Sequence, residues 1–266
     1  MDLLHAVLLG ILQGLTEFLP ISSSGHLVLA PIILGWKDQS LVFDVAVHFG
    51  TFVAVAAYFR RDLVPIIGAG FSSLRTGDVS STNARLAWGL VIATIPASAL
   101  GLLMQTVLEL EIDAPTMVAG NLIIFGLVMW WADRFLRGSR GIEDVQWGDF
   151  FLIGCAQALA LFPGTSRSGI TMTAAMALGL SRTAAARLSF LMALPVILIA
   201  TIYELFVLFN SPEPAPWAAL AVGALAAFIT GLACIHFLIS LLERIGFLPF
   251  VIYRLILGGV ILLVFV

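Results

Sequence analysis

A chain of 266 residues that is 61% hydrophobic and only 11% charged, with a mean hydropathy of +1.08, cannot cover itself with water-facing surface; soluble domains carry roughly 25% charged residues. The composition marks a helical integral membrane protein, because the apolar runs are long and a transmembrane barrel shows short alternating segments instead. The formal net charge of -3 arises from scattered residues with no basic patch, so nucleic acid is excluded as a partner and the bilayer is the expected medium.

A bilayer core about 30 Å thick takes about 20 helical residues to cross. By that measure Met1 to Leu19 is marginal, since Pro20 and a run of serines interrupt it before an apolar stretch resumes at Leu27 to Leu34. The pattern fits a re-entrant hairpin, two short helices that dip into the bilayer and return under a cover of protein or a water-filled cavity. Spans follow at about Leu41 to Phe59, Leu86 to Met104 and Thr116 to Phe135, with Pro96 expected to kink the second. Arg60 to Arg85 reads as a polar loop between the first two.

The second half repeats this plan. Phe150 to Leu180 is interrupted by PGTSRSG at Pro163 to Gly169 and reads as a second hairpin. Spans follow at about Ala184 to Phe209, Ala218 to Leu241 and Phe247 to Val266, with a helix stop at Ser211 to Pro216. One fixed offset aligns Gln13 with Gln157, Leu15 with Leu159, Phe18 with Phe162, and SSSG at Ser22 to Gly25 with SRSG at Ser166 to Gly169. The expected fold is therefore an all-α polytopic membrane protein, six transmembrane helices plus two re-entrant helical hairpins in a single domain. Its repeats cover about 1–136 and 148–266. A hairpin plus three spans is an odd number of crossings, so the repeats must be inverted, which places the broken helices near the midplane.

Basic residues in short loops set the orientation. Arg60, Arg61, Arg75, Arg85, Arg134, Arg137, Arg140, Arg182 and Arg244 gather on one side. Lys37, Glu109, Glu111, Asp113 and Glu213 lie on the other, so the arginine side is expected to be cytoplasmic.

The polar residues left inside apolar surroundings are the candidate chemistry, because buried charge is costly. A serine after a proline turn is a good N-cap, so Ser22 to His26 is expected to open the second short helix. Its free N–H groups and positive dipole end form an anion site, most naturally for phosphate, with Ser22, Ser24 and Gly25 as ligands. Thr165, Ser166, Ser168 and Gly169 form a second tip of the same kind, with Arg167 added as a phosphate-matching fork. Gln13 and Glu17 lie one helical turn apart on one face. A carboxylate beside a phosphate site needs a cation between them, and Mg²⁺ or Ca²⁺ on Glu17 and the Gln13 carbonyl would supply it. His26 is a candidate acid or base, and Ser23 either a nucleophile or a phosphate ligand. The two tips are asymmetric. Glu17 and His26 face Leu161 and Ile170 in the alignment, and Arg167 faces Ser23.

QGLTEFLPISSSGH at Gln13 to His26, followed by PGTSRSG, resembles the undecaprenyl-pyrophosphate phosphatase family, also called the bacitracin-resistance family, over essentially the whole chain. The resemblance implies hydrolysis of undecaprenyl pyrophosphate to the monophosphate carrier lipid of cell-wall synthesis and inorganic phosphate, with bacitracin resistance as a consequence. It also implies divalent-metal dependence and a multi-pass protein of the bacterial inner membrane whose site opens to the outer, periplasmic face. The family's acidic pair falls on Gln13 and Glu17, its serine turn on Ser22, Ser23 and Ser24, its histidine on His26 and its arginine motif on Ser166 and Arg167. Gln13 departs from the glutamate of many relatives and weakens the ligand set. Ser23 is the favoured nucleophile with His26 as its base, and His26 as nucleophile is the alternative.

Association as a homodimer is compatible with this plan. A lipid flippase or transporter is the rival function, because inverted repeats with broken midplane helices also build transporters. Ser24, Gly25 and His26 match the SGH of acid-phosphatase-like lipid phosphatases, yet no lysine-and-arginine motif precedes them. His48, His5 and His236 lack a comparable setting and read as structural, whereas Asp44 and Arg254 are expected to face protein or the cavity. Cys155 and Cys234, both within apolar runs, read as packing residues.

Overall fold

A computed structural model describes residues 2–23, 25–27, 29, 35, 40–104, 115–209 and 216–265. The described chain is helical, with no named strand and one isolated bridge between Arg140 and Leu180. Ser24, most of Leu27 to Leu34, Lys37, the acidic residues at 109–113, and Glu213 with the stop at 211–215 lie outside the described residues.

Helix α1 covers Leu3–Thr16. At about 1.5 Å per residue its 14 residues reach about 21 Å, short of a bilayer core. Helical backbone resumes at Ser23 after a turn through Phe18 to Ile21, so the expected break at Pro20 is present. Helix α2 covers Leu41–Tyr58 and opens on Ser40, whose side chain accepts from the Phe43 N–H at 3.3 Å.

Arg60 to Thr76 is helix α3, not the expected loop, and is bent 87° from α2. Val64, Ile67, Phe71 and Leu74 recur at helical spacing and are exposed, 72% and 68% for Val64 and Phe71, so α3 carries an apolar face outward. The interspersed arginines and serines hid that period. Gly77, at φ 72°, closes α3 with its N–H on the Ser73 carbonyl, and only the residues from there to Ser81 form the polar connection.

Helix α4 (Thr82–Leu103) holds Pro96 inside it, and α5 (Pro115–Trp131) runs into a π-helical turn at Ala132–Leu136. The second hairpin consists of α6 (Trp147–Ala158), a 3-10 turn at Leu159–Leu161, and α7 (Arg167–Ala177). Helices α8 (Arg182–Phe209), α9 (Trp217–Ile245) and α10 (Leu248–Phe265) complete the chain. Among the described residues, five helices are long and apolar enough to cross a membrane, and a sixth span is counted if the bent α2–α3 pair is taken as one. The protein is a polytopic helical membrane protein.

Helix α1 packs chiefly on α9, and α6 packs chiefly on α4. Helix α9 also packs on α2, as α4 does on α8, while α5 packs on α10 and α2 on α8. Close approach in the first pair depends on small residues. A Cβ at Gly10 would strike the Gly223 carbonyl, and one at Gly14 would lie 2.6 Å from the Ala227 carbonyl. In the second pair, Gly154 lies against Ala93 in the same way. The largest core gathers around α7, where Met172 and Met176 pack with Phe150, Ile153 and Leu188, and Phe18 of the first turn meets Phe190 edge-on at 5.4 Å.

Candidate active site

Both hairpin turns have the same local form. Ser22 has φ 75° and Ser166 φ 72°, the only described non-glycine residues in the left-handed region. Each serine Oγ accepts the N–H three residues on, Gly25 at 3.3 Å and Gly169 at 3.1 Å. Each serine carbonyl accepts the N–H four residues on, His26 and Ile170. The expected caps are therefore present, and the strained serines align each short helix with its turn.

Arg254 of α10 fastens the two turns together. Fully buried, it donates to the carbonyls of Pro20, Gly164 and Thr165 in the turns and to Asn121 and Leu122 of α5, all at 3.0–3.1 Å. Asn121 adds a bond from Nδ2 to the Pro163 carbonyl at 2.8 Å. A broken helix frees carbonyls that lipid cannot satisfy, and one guanidinium has enough donors in a fixed fork to serve them.

The two tips converge on Glu17. Ser23 Oγ donates to Glu17 Oε2 at 2.7 Å, and Arg167 Nη2 donates to Oε1 at 2.6 Å. These two partners occupy matching positions in the two tips. Gln13 Nε2 also donates to Oε2, at 3.0 Å, and Arg167 Nη1 is anchored on the Ser189 carbonyl of α8. The carboxylate and the guanidinium form a buried ion pair, and removing either would leave the other uncompensated.

Glu17, Ser23, Ser166 and Arg167 line a cavity of about 400 Å³, together with Asp44, His48, Gln157 and Thr201. His26 does not line it. Its Nδ1 donates to the Ser22 carbonyl at 2.7 Å, which leaves Nε2 to accept from the Tyr253 hydroxyl at 2.6 Å, and the two rings stack. The expected Ser23–His26 pair is thus replaced by Ser23–Glu17. Ser22, Gly25, Thr165, Ser168 and Gly169 also sit behind the cavity wall, serving the turns, and Ser24 lies outside the described residues.

Sequence context reads His48 as structural, yet it faces the Glu17 carboxylate. Its Nδ1 donates to the Asp44 carbonyl at 2.7 Å, which turns Nε2 to within 3.6 Å of Glu17 Oε2. That contact is attractive only when the imidazole carries both protons. Asp44 lies one turn earlier on the same face, and this acid–histidine spacing in an apolar helix was the available signal. Gln157 and Thr201 also line the cavity, and the amide oxygen of the one and the hydroxyl of the other are buried without a hydrogen-bond partner among the described residues.

Among the described residues no group of three His, Cys, Asp or Glu side chains could cage a metal. Gln13 Oε1, buried without a partner, and the Glu17 carboxylate are nonetheless oxygen donors one turn apart. That set fits a hard divalent cation, which takes oxygen ligands and keeps several waters, and does not fit an all-protein site.

A hydroxyl on a carboxylate beside an arginine, in one cavity, is an arrangement for transfer of an anionic group. The family model described as "Bacitracin resistance protein BacA" matches residues 6–260. The chain belongs to the BacA family. Within it, "Undecaprenyl-diphosphatase 2" of Stutzerimonas stutzeri (strain A1501) is 48% identical, over 100% of this chain and 99% of the relative. "Undecaprenyl-diphosphatase" of Teredinibacter turnerae (strain ATCC 39867 / T7901) is also 48% identical, with 97% of each chain covered. The protein of that name from Nitrosococcus oceani is 46% identical across the full length of both chains. Membership of the BacA family at this coverage extends to both hairpins and to the whole cavity between them.

Proposed function

We propose that the protein is a membrane phosphatase that cleaves undecaprenyl diphosphate to undecaprenyl phosphate and inorganic phosphate, returning carrier lipid to cell-wall synthesis and conferring bacitracin resistance. The relatives' names supply the substrate. One observation carries the chemistry: residues from hairpins far apart in sequence, Ser23 and Arg167, meet on the two oxygens of Glu17 in one cavity.

In this reading Ser23 Oγ attacks the terminal phosphorus while Glu17 Oε2 takes its proton. The Ser23 O–P bond forms, the bond to the bridging oxygen breaks, and its electron pair leaves with the lipid monophosphate. Glu17 passes the proton to the departing phosphate. It is then the base for the water that hydrolyses the phosphoserine, whose Oγ regains a proton. Arg167 stabilises charge on the transferred phosphoryl group. Gln13 and Glu17 would hold the divalent cation, which neutralises phosphate charge when bound. His26 acts through the turn it braces, not as the base.

The architecture proposed with it is six spans and two re-entrant hairpins in inverted repeats of about 1–136 and 148–266. The matched serines at Ser22 and Ser166 support it, as does the exchange of α1–α9 packing for α6–α4 packing. An inner-membrane location with the site opening outward follows from arginine placement and family resemblance.

Phosphate release by purified protein in detergent, where no second compartment exists, separates hydrolysis from lipid transport. Ser23→Ala, Glu17→Ala and Arg167→Ala should each lower the rate by about 10²-fold or more, and EDTA should suppress it. Wild-type rates in both Glu17→Ala and Arg167→Ala would overturn the scheme.

A further inference from the structure

An apolar groove of about 350 Å³ opens between α2, α8 and α9. Val45 and Thr201 line both this groove and the reaction cavity, so the two spaces meet at a shared wall. The cavity side of that wall carries Glu17, Ser23 and Arg167, whereas the groove has Thr201 as its one hydroxyl and no charged side chain among its lining. The groove exists because Ala46 on α2 and Ala221 and Ala224 on α9 are small. Phe49 and Trp217, 42% and 57% exposed, are among its lining, so the groove is edged by large apolar side chains that suit lipid better than water.

An anionic cavity-bound head joined to an apolar tail matches this pair of spaces end to end. Resting on the phosphatase reading, we propose that the α2–α8–α9 groove binds the head-proximal isoprene units of the polyprenyl diphosphate and thereby favours prenyl chains long enough to fill it. The groove is far too small for the whole undecaprenyl chain, whose remainder stays in the bilayer. Preference should therefore rise over the first few isoprene units and then level off.

The test compares kcat/KM for farnesyl diphosphate and isopentenyl diphosphate in detergent. In Ala46→Trp and Ala221→Trp an indole fills the groove, and the farnesyl-to-isopentenyl ratio should fall about tenfold or more, the scale on which an apolar pocket discriminates. Leu263→Trp, at an 87% exposed position on α10 outside the groove, should leave the ratio alone. An unchanged ratio in both groove variants overturns the proposal and assigns the groove to bulk lipid or a second copy. If both variants lose activity altogether, the wild-type protein decides. A photoreactive group on the second isoprene unit should crosslink to α2, α8 or α9, and crosslinking confined to other helices overturns the proposal. Failure of the wild-type enzyme to release phosphate from undecaprenyl diphosphate itself would instead remove the phosphatase reading.

Discussion

Arg254 is the residue on which the geometry of the site most depends, although it bonds to none of Glu17, Ser23 and Arg167. Five carbonyls converge on it, three of them in the two turns that present Ser23 and Arg167. Arg254→Met should leave those carbonyls unpaired where water cannot reach, at about 1–3 kcal/mol each before relaxation. The variant should then melt well below wild type in detergent, by the equivalent of about 3 kcal/mol or more. Arg254→Lys should recover little, because an ammonium is a compact point charge without the planar fork. Wild-type melting in either variant would show that the turns hold themselves. The histidines give a second comparison at this scale. His48 faces Glu17 across 3.6 Å, whereas His26 is occupied by Ser22 and Tyr253. His48→Ala should therefore lower phosphate release more than His26→Phe, which keeps a ring for stacking on Tyr253, and the reverse order would restore His26 to the chemistry.

At the scale of elements, the depth of Glu17 follows from how closely α1 approaches α9. Gly10 and Gly14 leave backbone against backbone, and Glu17 is the C-cap of the same helix. Gly14→Leu should push α1 away from Ala227 and Thr230, carrying the carboxylate out of register with Arg167. Its expected signature is lost phosphate release in a protein that still purifies as a folded species, and full activity would show that the site tolerates the shift. The elements were largely legible from sequence. Apolar length located α2, α4, α5, α8, α9 and α10, and Pro20 and PGTSRSG marked the turns, because proline and glycine interrupt helices for local steric reasons. What sequence hid was long-range or masked. Helix α3 was concealed by its arginines and serines, Arg254 by partners that are all carbonyls and leave no trace in side-chain identity, and His26 by a tyrosine 227 positions away.

For the molecule as a whole, the arginines are gathered at one end by contacts as well as by count. Asp133 accepts from Arg182 at 2.6 and 2.9 Å, Arg85 donates to the Glu143 carbonyl at 2.7 Å, and Arg187 reaches Asp62 at 3.3 Å. Those pairs join the π-turn after α5, the start of α8, the start of α4, the 142–144 turn and α3. The start of α2, the end of α8 and the start of α9 therefore lie at the other end, where the apolar groove opens. Basic loops are retained in the cytoplasm, so the groove end should face outward, the side on which a lipid diphosphate would enter from the outer leaflet. Single cysteines in a Cys155→Ala, Cys234→Ala background test this directly. Pro216→Cys, before α9, should react with a membrane-impermeant maleimide in intact spheroplasts, and Ser80→Cys, in the connection after α3, only after the membrane is opened. The opposite pattern would invert the protein and place the site toward the cytoplasm. Equal reactivity of both in intact spheroplasts would mean that the chain inserts in both orientations.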